Sequence, residues 1–218
     1  MSRLTSCVMA GWVALVTLAL AAPAHADPNP RVRVSTNVGD FVIELRPDRA
    51  PFTVANFLKY VQDGQYTQTL FHRVIANFVI QGGGYSAVDH QLRPTHTAVV
   101  NESGNGLQNK RGTVGLARSD LPHSGNCQFY VNLVDNAELD PLPTRWGYTV
   151  FGRVIEGMDV LDRIGVMPTG SVGPFKSDAP LKPVIIQKIE LLDAGAPAQT
   201  AKPELAPPAS GESILSPK

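Results

Sequence analysis

Between Arg31 and Asp193 the hydrophobic positions mostly alternate with polar ones. Val32 and Val34 are interleaved with arginines, and Phe41, Ile43 and Leu45 alternate after a Thr36–Gly39 turn, a pattern that predicts a hairpin. Further short runs predict strands at Phe71–Ile75, Phe78–Gln81, Thr97–Val100, Thr113–Ala117, Phe129–Leu133, Val150–Ile155 and Val184–Leu192. Two stretches instead follow the helical period. After Pro51, the residues Val54, Phe57, Leu58 and Val61 make one buried stripe, with Gly64 placed to stop the helix; a second short helix fits Gly157–Ile164. Many short strands and few helices predict a mainly β fold. An antiparallel sheet closed into a barrel is the arrangement that leaves no exposed edge.

The two ends of the chain differ from this middle. Arg3 precedes an apolar stretch from Val8 to Ala22, and Ala24-His25-Ala26 has the form of a cleavage site, so residues 1–26 are expected to be a cleaved export signal. Cys7 lies before the apolar run, which argues against a lipid anchor there, and no second candidate span follows. Residues 27–193 are expected to form one domain. Residues 194–218, rich in Ala, Pro and Ser, have little to bury and are expected to be a disordered tail.

Charge and cysteine content narrow the function classes. The whole chain has 19 basic and 19 acidic residues; removing 1–26 takes Arg3 and no acid, leaving 18 and 19, a net charge of −1. Such a balance supplies no general attraction to nucleic acid or anionic lipid. Only Cys127 would remain, so an internal disulfide is impossible and stability has to come from packing. No heptad seam demands assembly, and a monomer is expected.

The chemistry concentrates in Phe71–Gly84, FHRVIANFVIQGGG. Arg73 is a permanent cation on an apolar run, tolerable only if its head reaches water or a ligand. Alternation places Phe71, Arg73 and Ile75 on one face and His72 and Val74 on the other, while Val79 and Gln81 share a face of the next run. If the two runs pair, Arg73 and Gln81 meet over one groove. Other apparent constellations do not hold. His72, His90, His96 and His123 lack metal-site spacing, so no metal or cofactor is expected; Ser119, Asp120 and His123 have no nucleophile elbow around them. Gly82–Gly84 lack the Lys-Ser/Thr ending of a phosphate loop.

These residues resemble the cyclophilin family of peptidyl-prolyl cis–trans isomerases, most closely its exported bacterial branch. The resemblance covers about residues 31–193 through FHRVIANFVIQGGG, NKRGTVGLARS at 109–119, CQFYVNL at 127–133, the Leu139-Asp140 pair, and GYTVFGRVIEGMDVLDRI at 147–164. It implies a closed eight-stranded antiparallel barrel capped by two helices, with the substrate groove on the outside. By the same resemblance, Arg73 is the catalytic arginine and Gln81 its groove partner. Phe78, Val79 (where methionine is usual), Tyr130 (for phenylalanine) and Leu139 line the proline pocket. Ala117 and Arg118 lie where the backbone binds the extended substrate, and asparagine is common at Arg118. Gln128 matches a second groove glutamine, and Tyr148 replaces a histidine of eukaryotic members. Glu138 stands where those members have a tryptophan that helps hold cyclosporin, so weak cyclosporin binding is expected.

The implied activity is isomerisation of Xaa–Pro bonds in proline-containing peptides and unfolded exported proteins, in a bacterial periplasm. Amide resonance sets a barrier of roughly 18–20 kcal/mol, so the uncatalysed step takes on the order of tens of seconds. No covalent bond changes, so no nucleophile, metal or proton relay is required. Two other readings compete: a peptide-holding chaperone or scaffold with little turnover, and a ligand-carrying barrel with an open apolar lumen.

Overall fold

A computed structural model of the protein describes residues 29–192. The expected export signal and the whole of the expected tail lie outside these residues. The first hairpin pairs β1 (Arg31–Thr36) with β2 (Gly39–Leu45), setting Val34 opposite Phe41 and Val32 opposite Ile43. Its turn is tied by Thr36, whose hydroxyl accepts from the amides of Val38 and Gly39 (3.0 and 3.1 Å). Helix α1 (Pro51–Gln62) opens on proline, whose missing N–H costs nothing at that position. The Glu102 carboxylate caps it from a distant loop, accepting from the Phe52 and Thr53 amides and the Thr53 hydroxyl. The buried residues of α1 are Thr53, Val54, Phe57 and Tyr60; Leu58 and Val61 are only partly buried. The stripe is rotated from the expected one because Tyr60 turns inward and its hydroxyl accepts from the His96 amide.

The remaining strands are β3 (Thr69–Leu70), β4 (Arg73–Val74), β5 (Val79–Gly82), β6 (Thr113–Leu116), β7 (Phe129–Asn132), β8 (Val150–Glu156), β9 (Thr169–Val172), β10 (Phe175–Pro180) and β11 (Ile185–Leu192), with helix α2 (Met158–Gly165) after β8. The main sheet runs β3-β11-β1-β2-β8-β6-β7-β5-β4, every pairing antiparallel. Its two ends, β3 and β4, are halves of one run separated only by Phe71 and His72. The sheet therefore returns on itself, and its nine segments make the eight staves of a closed barrel. Phe71 N–H donates to Val184 O (2.9 Å) and Gly83 N–H to Leu70 O (3.1 Å) across the junction.

The interior is filled. Phe57 packs on Tyr66 and Phe151 with ring centroids 5.2 Å apart, and edge-on to Phe129 at 5.7 Å. Helix α1 packs against β11 and α2 against β2, with Val160, Leu161 and Ile164 buried. This packed interior overturns the reading of a ligand-carrying lumen. Cys127 is inside it, and burial pushes its thiol pKa up to about 11.

Two local expectations need correction, and one hairpin was not expected at all. Thr97–Val100 is not a strand; only Val99 pairs, with Gly125, and its neighbours are exposed and find no ladder. The β9–β10 hairpin falls in a stretch whose Gly, Ser, Lys and Asp positions give no alternating hydrophobic signal. Phe71 and Arg73 do not share a face. The run breaks between them, which sends Phe71 into the core while Arg73 stays half-buried at the surface.

Candidate active site

Arg73 is directly opposite Gln81 in the β4–β5 register, as pairing of the two runs requires. Arg73 Nη1 donates to Gln81 Oε1 at 3.3 Å, and Gln81 Nε2 donates to Gln128 Oε1 at 3.0 Å, so two amides continue a line from the guanidinium along the barrel wall. That long bond is the only side-chain hydrogen bond of Arg73 among the described residues, and it forms no ion pair there. Its guanidinium carbon is 6.0 Å from the centre of the Phe78 ring. A cation left this free keeps most of its hydrogen-bonding capacity for something else.

Beside it lies a groove of about 280 Å³ lined by Arg73, Phe78, Val79, Gln81, Ala117, Arg118, Tyr130, Leu139 and Tyr148. Nine of the ten site residues expected from the sequence thus meet in one concavity. The tenth, Gln128, does not line the groove and meets it through two of its residues, accepting from Gln81 Nε2 on its side chain and from Ala117 N–H on its carbonyl. Ala117 N–H is committed to Gln128 O (2.9 Å), which leaves Ala117 its carbonyl for an extended chain. Arg118 departs from a purely backbone role. Its guanidinium stacks 4.3 Å from the Tyr148 ring centre and donates to the carbonyls of Gly147, Ser119 and Trp146 (3.2, 2.8 and 3.0 Å).

The floor of the groove rests on groups the sequence reading missed. Tyr130 is opposite Gly115 on β6, and its ring occupies the space that any side chain there would need. Laid across that glycine, its hydroxyl donates to Asn109 Oδ1 at 2.6 Å. Asn109 in turn gives its backbone N–H and Nδ2 to Asp140 Oδ1 (2.7 and 2.9 Å). Asn132 Nδ2 reaches Asn109 Oδ1 and the Thr113 hydroxyl, and Asn136 Nδ2 reaches Asn132 Oδ1 and Phe78 O. This buried amide network joins the segments carrying Tyr130, Phe78 and Leu139. Its signal in the sequence was an asparagine, Asn132, inside an otherwise apolar strand; Asn109, Asn136 and Asp140 give none on their own. Burial raises the Tyr130 phenol pKa well above its usual value, so it stays a neutral donor.

His72, next to the catalytic candidate in sequence, faces the other way. It packs against Tyr85 and Phe175 (ring centroids 4.7 and 5.4 Å), and its Nδ1 is buried without a partner. Burial, aided by the Arg73 charge, pushes its pKa down to about 4. Among the described residues no three His, Cys, Asp or Glu side chains gather as a metal site, and no helix is long and apolar enough to cross a membrane.

The chain as a whole is similar to known proteins. The family model for cyclophilin-type peptidyl-prolyl cis–trans isomerases matches residues 31–191. A peptidyl-prolyl cis–trans isomerase of Streptomyces antibioticus is 46% identical over 164 residues, 74% of this chain and 98% of its own. Isomerase A of Dickeya dadantii is 40% identical over 186 residues, 85% and 97%. Among solved structures, a Cryptosporidium parvum cyclophilin crystallised in the presence of the dipeptide Ala-Pro superposes with a TM-score of 0.60 at 28% identity, covering 73% of this chain and 96% of its own. A groove of this size, with aromatic and aliphatic side chains beside a guanidinium that forms no ion pair among the described residues, suits an amide that must twist without breaking, and with these matches the chain belongs to the cyclophilin-type peptidyl-prolyl cis–trans isomerases.

Proposed function

We propose that the enzyme accelerates folding of exported proteins in a bacterial periplasm, with Arg73 as its catalytic residue. The export reading is supported by the residue pattern of 1–26 and by the bacterial origin of close relatives. The catalytic reading is carried by one observation: Arg73 stands in register with Gln81 at the groove, with a single long hydrogen bond and no carboxylate partner among the described residues.

In this reading Phe78, Val79, Tyr130, Leu139 and Tyr148 hold the proline ring while the chain on its amino-terminal side turns. As the amide twists, its nitrogen becomes pyramidal and gains a lone pair, and the guanidinium donates to it. Planar ground states offer no such acceptor, so the interaction favours the twisted state selectively. Gln81 keeps the guanidinium in place and shares in holding the substrate carbonyl. Reaching milliseconds from tens of seconds needs about ten-thousandfold, or roughly 5.5 kcal/mol, which one charge-assisted hydrogen bond in a partly desolvated groove plus apolar anchoring can supply.

The test is cis–trans exchange of a short Xaa-Pro peptide by NMR, with the native protein and Arg73→Ala. Fast exchange that collapses in the variant supports the reading; binding without acceleration by the native protein leaves only a peptide-holding module. Fractionation of cells, with amino-terminal sequencing of the mature protein, tests export: retention of residues 1–26 in a cytoplasmic product would sink it.

A further inference from the structure

A second and larger concavity, about 400 Å³, is formed by the middle of the loop whose ends, Leu139 and Tyr148, line the groove. It is lined by Ser103 and Gly104 on one side and by Pro141 through Trp146 on the other, with no carboxylate in the lining. The two cavities share a wall. Leu139 and Tyr148, at the ends of one loop, face the proline groove, while Pro141–Trp146, in the middle of that loop, face the second cavity.

The wall is preformed. Tyr148 N–H donates to Leu139 O, and Leu142 and Arg145 exchange backbone hydrogen bonds (2.9 and 3.1 Å), which pinches the loop shut at two levels. Gly147 is pressed so closely on the Asp140–Pro141 backbone that a Cβ there would collide with it. From the barrel side, Asn101 Nδ2 donates to Gly147 O and Gly147 N–H donates to Ser103 Oγ. From the groove side, Arg118 donates to Trp146 O and Gly147 O while stacked on Tyr148. A cavity held this firmly from both sides pays little to receive a ligand.

Two large apolar side chains of its lining are open to a partner. Trp146 is 47% exposed and Leu142 56% exposed, an indole and an isobutyl group in one short loop. Next to Trp146, His123 packs at 5.2 Å between ring centroids, on a loop that also exposes Leu121. Scattered exposed apolar residues need no explanation, but large ones gathered on a concave wall next to a binding groove do. The substrate of this enzyme is a polypeptide, and an extended chain advances about 3.3 Å per residue. A chain held by its proline therefore carries neighbouring side chains past the shared wall.

We propose that this cavity is a second substrate subsite, which takes a large apolar side chain, aromatic by preference, from the same polypeptide a few residues from the proline. The proposal rests on the proline occupying the Arg73 groove. It makes the enzyme selective for prolines embedded in apolar sequence, the kind that an unfolded chain exposes and a folded one buries. Trp146 supplies the stacking face, and Thr144, Arg145 and the buried Ser103 complete the lining.

The test uses the full chain and a peptide series in which one phenylalanine is scanned from two to five residues on either side of a single proline, against an all-alanine background. Exchange rates by NMR give kcat/KM for each peptide. At one or two offsets the native enzyme is expected to gain about tenfold over the all-alanine peptide, through KM and not kcat. In Trp146→Ala that ratio is expected to fall to about one, and in Trp146→Phe to return. With Trp12→Phe, Trp146 is the sole indole, and its emission is expected to shift to the blue with the favoured peptide and not with the all-alanine one. No gain at any offset, or a gain that survives in Trp146→Ala, would overturn the subsite while leaving the groove intact. Failure of the native enzyme to accelerate the all-alanine peptide would instead overturn the placement of proline beside Arg73.

Discussion

The two walls of the candidate groove are built on opposite plans. On the β4–β5 wall, Arg73 has one side-chain hydrogen bond among the described residues, a long one at 3.3 Å, and Gln81 holds it through the same bond. On the β6–β7 wall, Tyr130 is 4% exposed and its hydroxyl bond of 2.6 Å opens a network through Asn109, Asp140, Asn132 and Asn136 in which no buried side-chain nitrogen or oxygen is left without a partner. The second wall fixes shape; the first keeps hydrogen-bonding capacity in reserve. A buried polar network is worth its desolvation only when fully satisfied, whereas a cation meant for a transient state must be left under-satisfied in the ground state.

The sharpest way to break this contrast is at Arg73. Arg73→Ala is expected to lower kcat/KM by about a thousandfold, or roughly 4 kcal/mol, while urea unfolding shifts by no more than about 0.5 kcal/mol. A large loss of stability would mean that the cation is a structural member of its wall after all. The next largest effect lies on the neighbouring residue and on stability instead. His72 has its pKa depressed to about 4 by burial, so between pH 6.5 and 4 the unfolded chain binds a proton that the folded one refuses. Stability from this group is fully present above pH 6.5 and is expected to fall by about 3 kcal/mol on acidification to pH 4, then level off. The Asp48, Asp63, Asp89 and Asp159 carboxyls, all with lowered pKa values, contribute their losses at lower pH, so the two windows separate. Urea titrations at pH 7, 5.5 and 4.5 measure the slope; a flat profile would show that His72 is solvated.

What the sequence made legible follows the same division. The Arg73–Gln81 pairing was readable because a cation and an amide on short apolar runs conflict with burial, and the antiparallel register then fixes which residues face each other. The β1–β2 hairpin was readable from strict alternation. The network under Tyr130 was not: Asn109, Asn136 and Asp140 are ordinary loop residues until the barrel closes and brings positions 109, 132 and 140 together. Phe71 was assigned to the groove face because alternation assumes an unbroken strand, and the break at Phe71–His72 is a consequence of closure that local pattern does not carry. Long-range geometry, more than local preference, separates the two sets.

Within the network, Asn109→Ala removes the partner of three buried donors and acceptors at once. It is expected to cost about 2 kcal/mol of stability and to raise KM as Tyr130 loosens, with kcat less affected. Thermal unfolding together with a KM-against-kcat split checks both parts. Asn109→Asp, which keeps an acceptor for the Tyr130 hydroxyl but sets a carboxylate against Asp140, should not rescue it.

The smallest effect is expected at Gln81, and it tests the contrast most finely. If Gln81 serves mainly to steady Arg73, then Gln81→Leu removes one weak bond to a half-exposed guanidinium that still has water for company. The loss in kcat/KM should then be about threefold, near 0.7 kcal/mol, and should disappear when Arg73 is already alanine. If Gln81 also holds the substrate carbonyl, part of the loss persists in the Arg73→Ala background, because that contact does not pass through the arginine. A double-mutant cycle on exchange rates therefore divides the two roles. Full coupling makes Gln81 a positioning residue of the under-bonded wall; residual loss makes it a second hand on the substrate, and that wall then works through two contacts and not one.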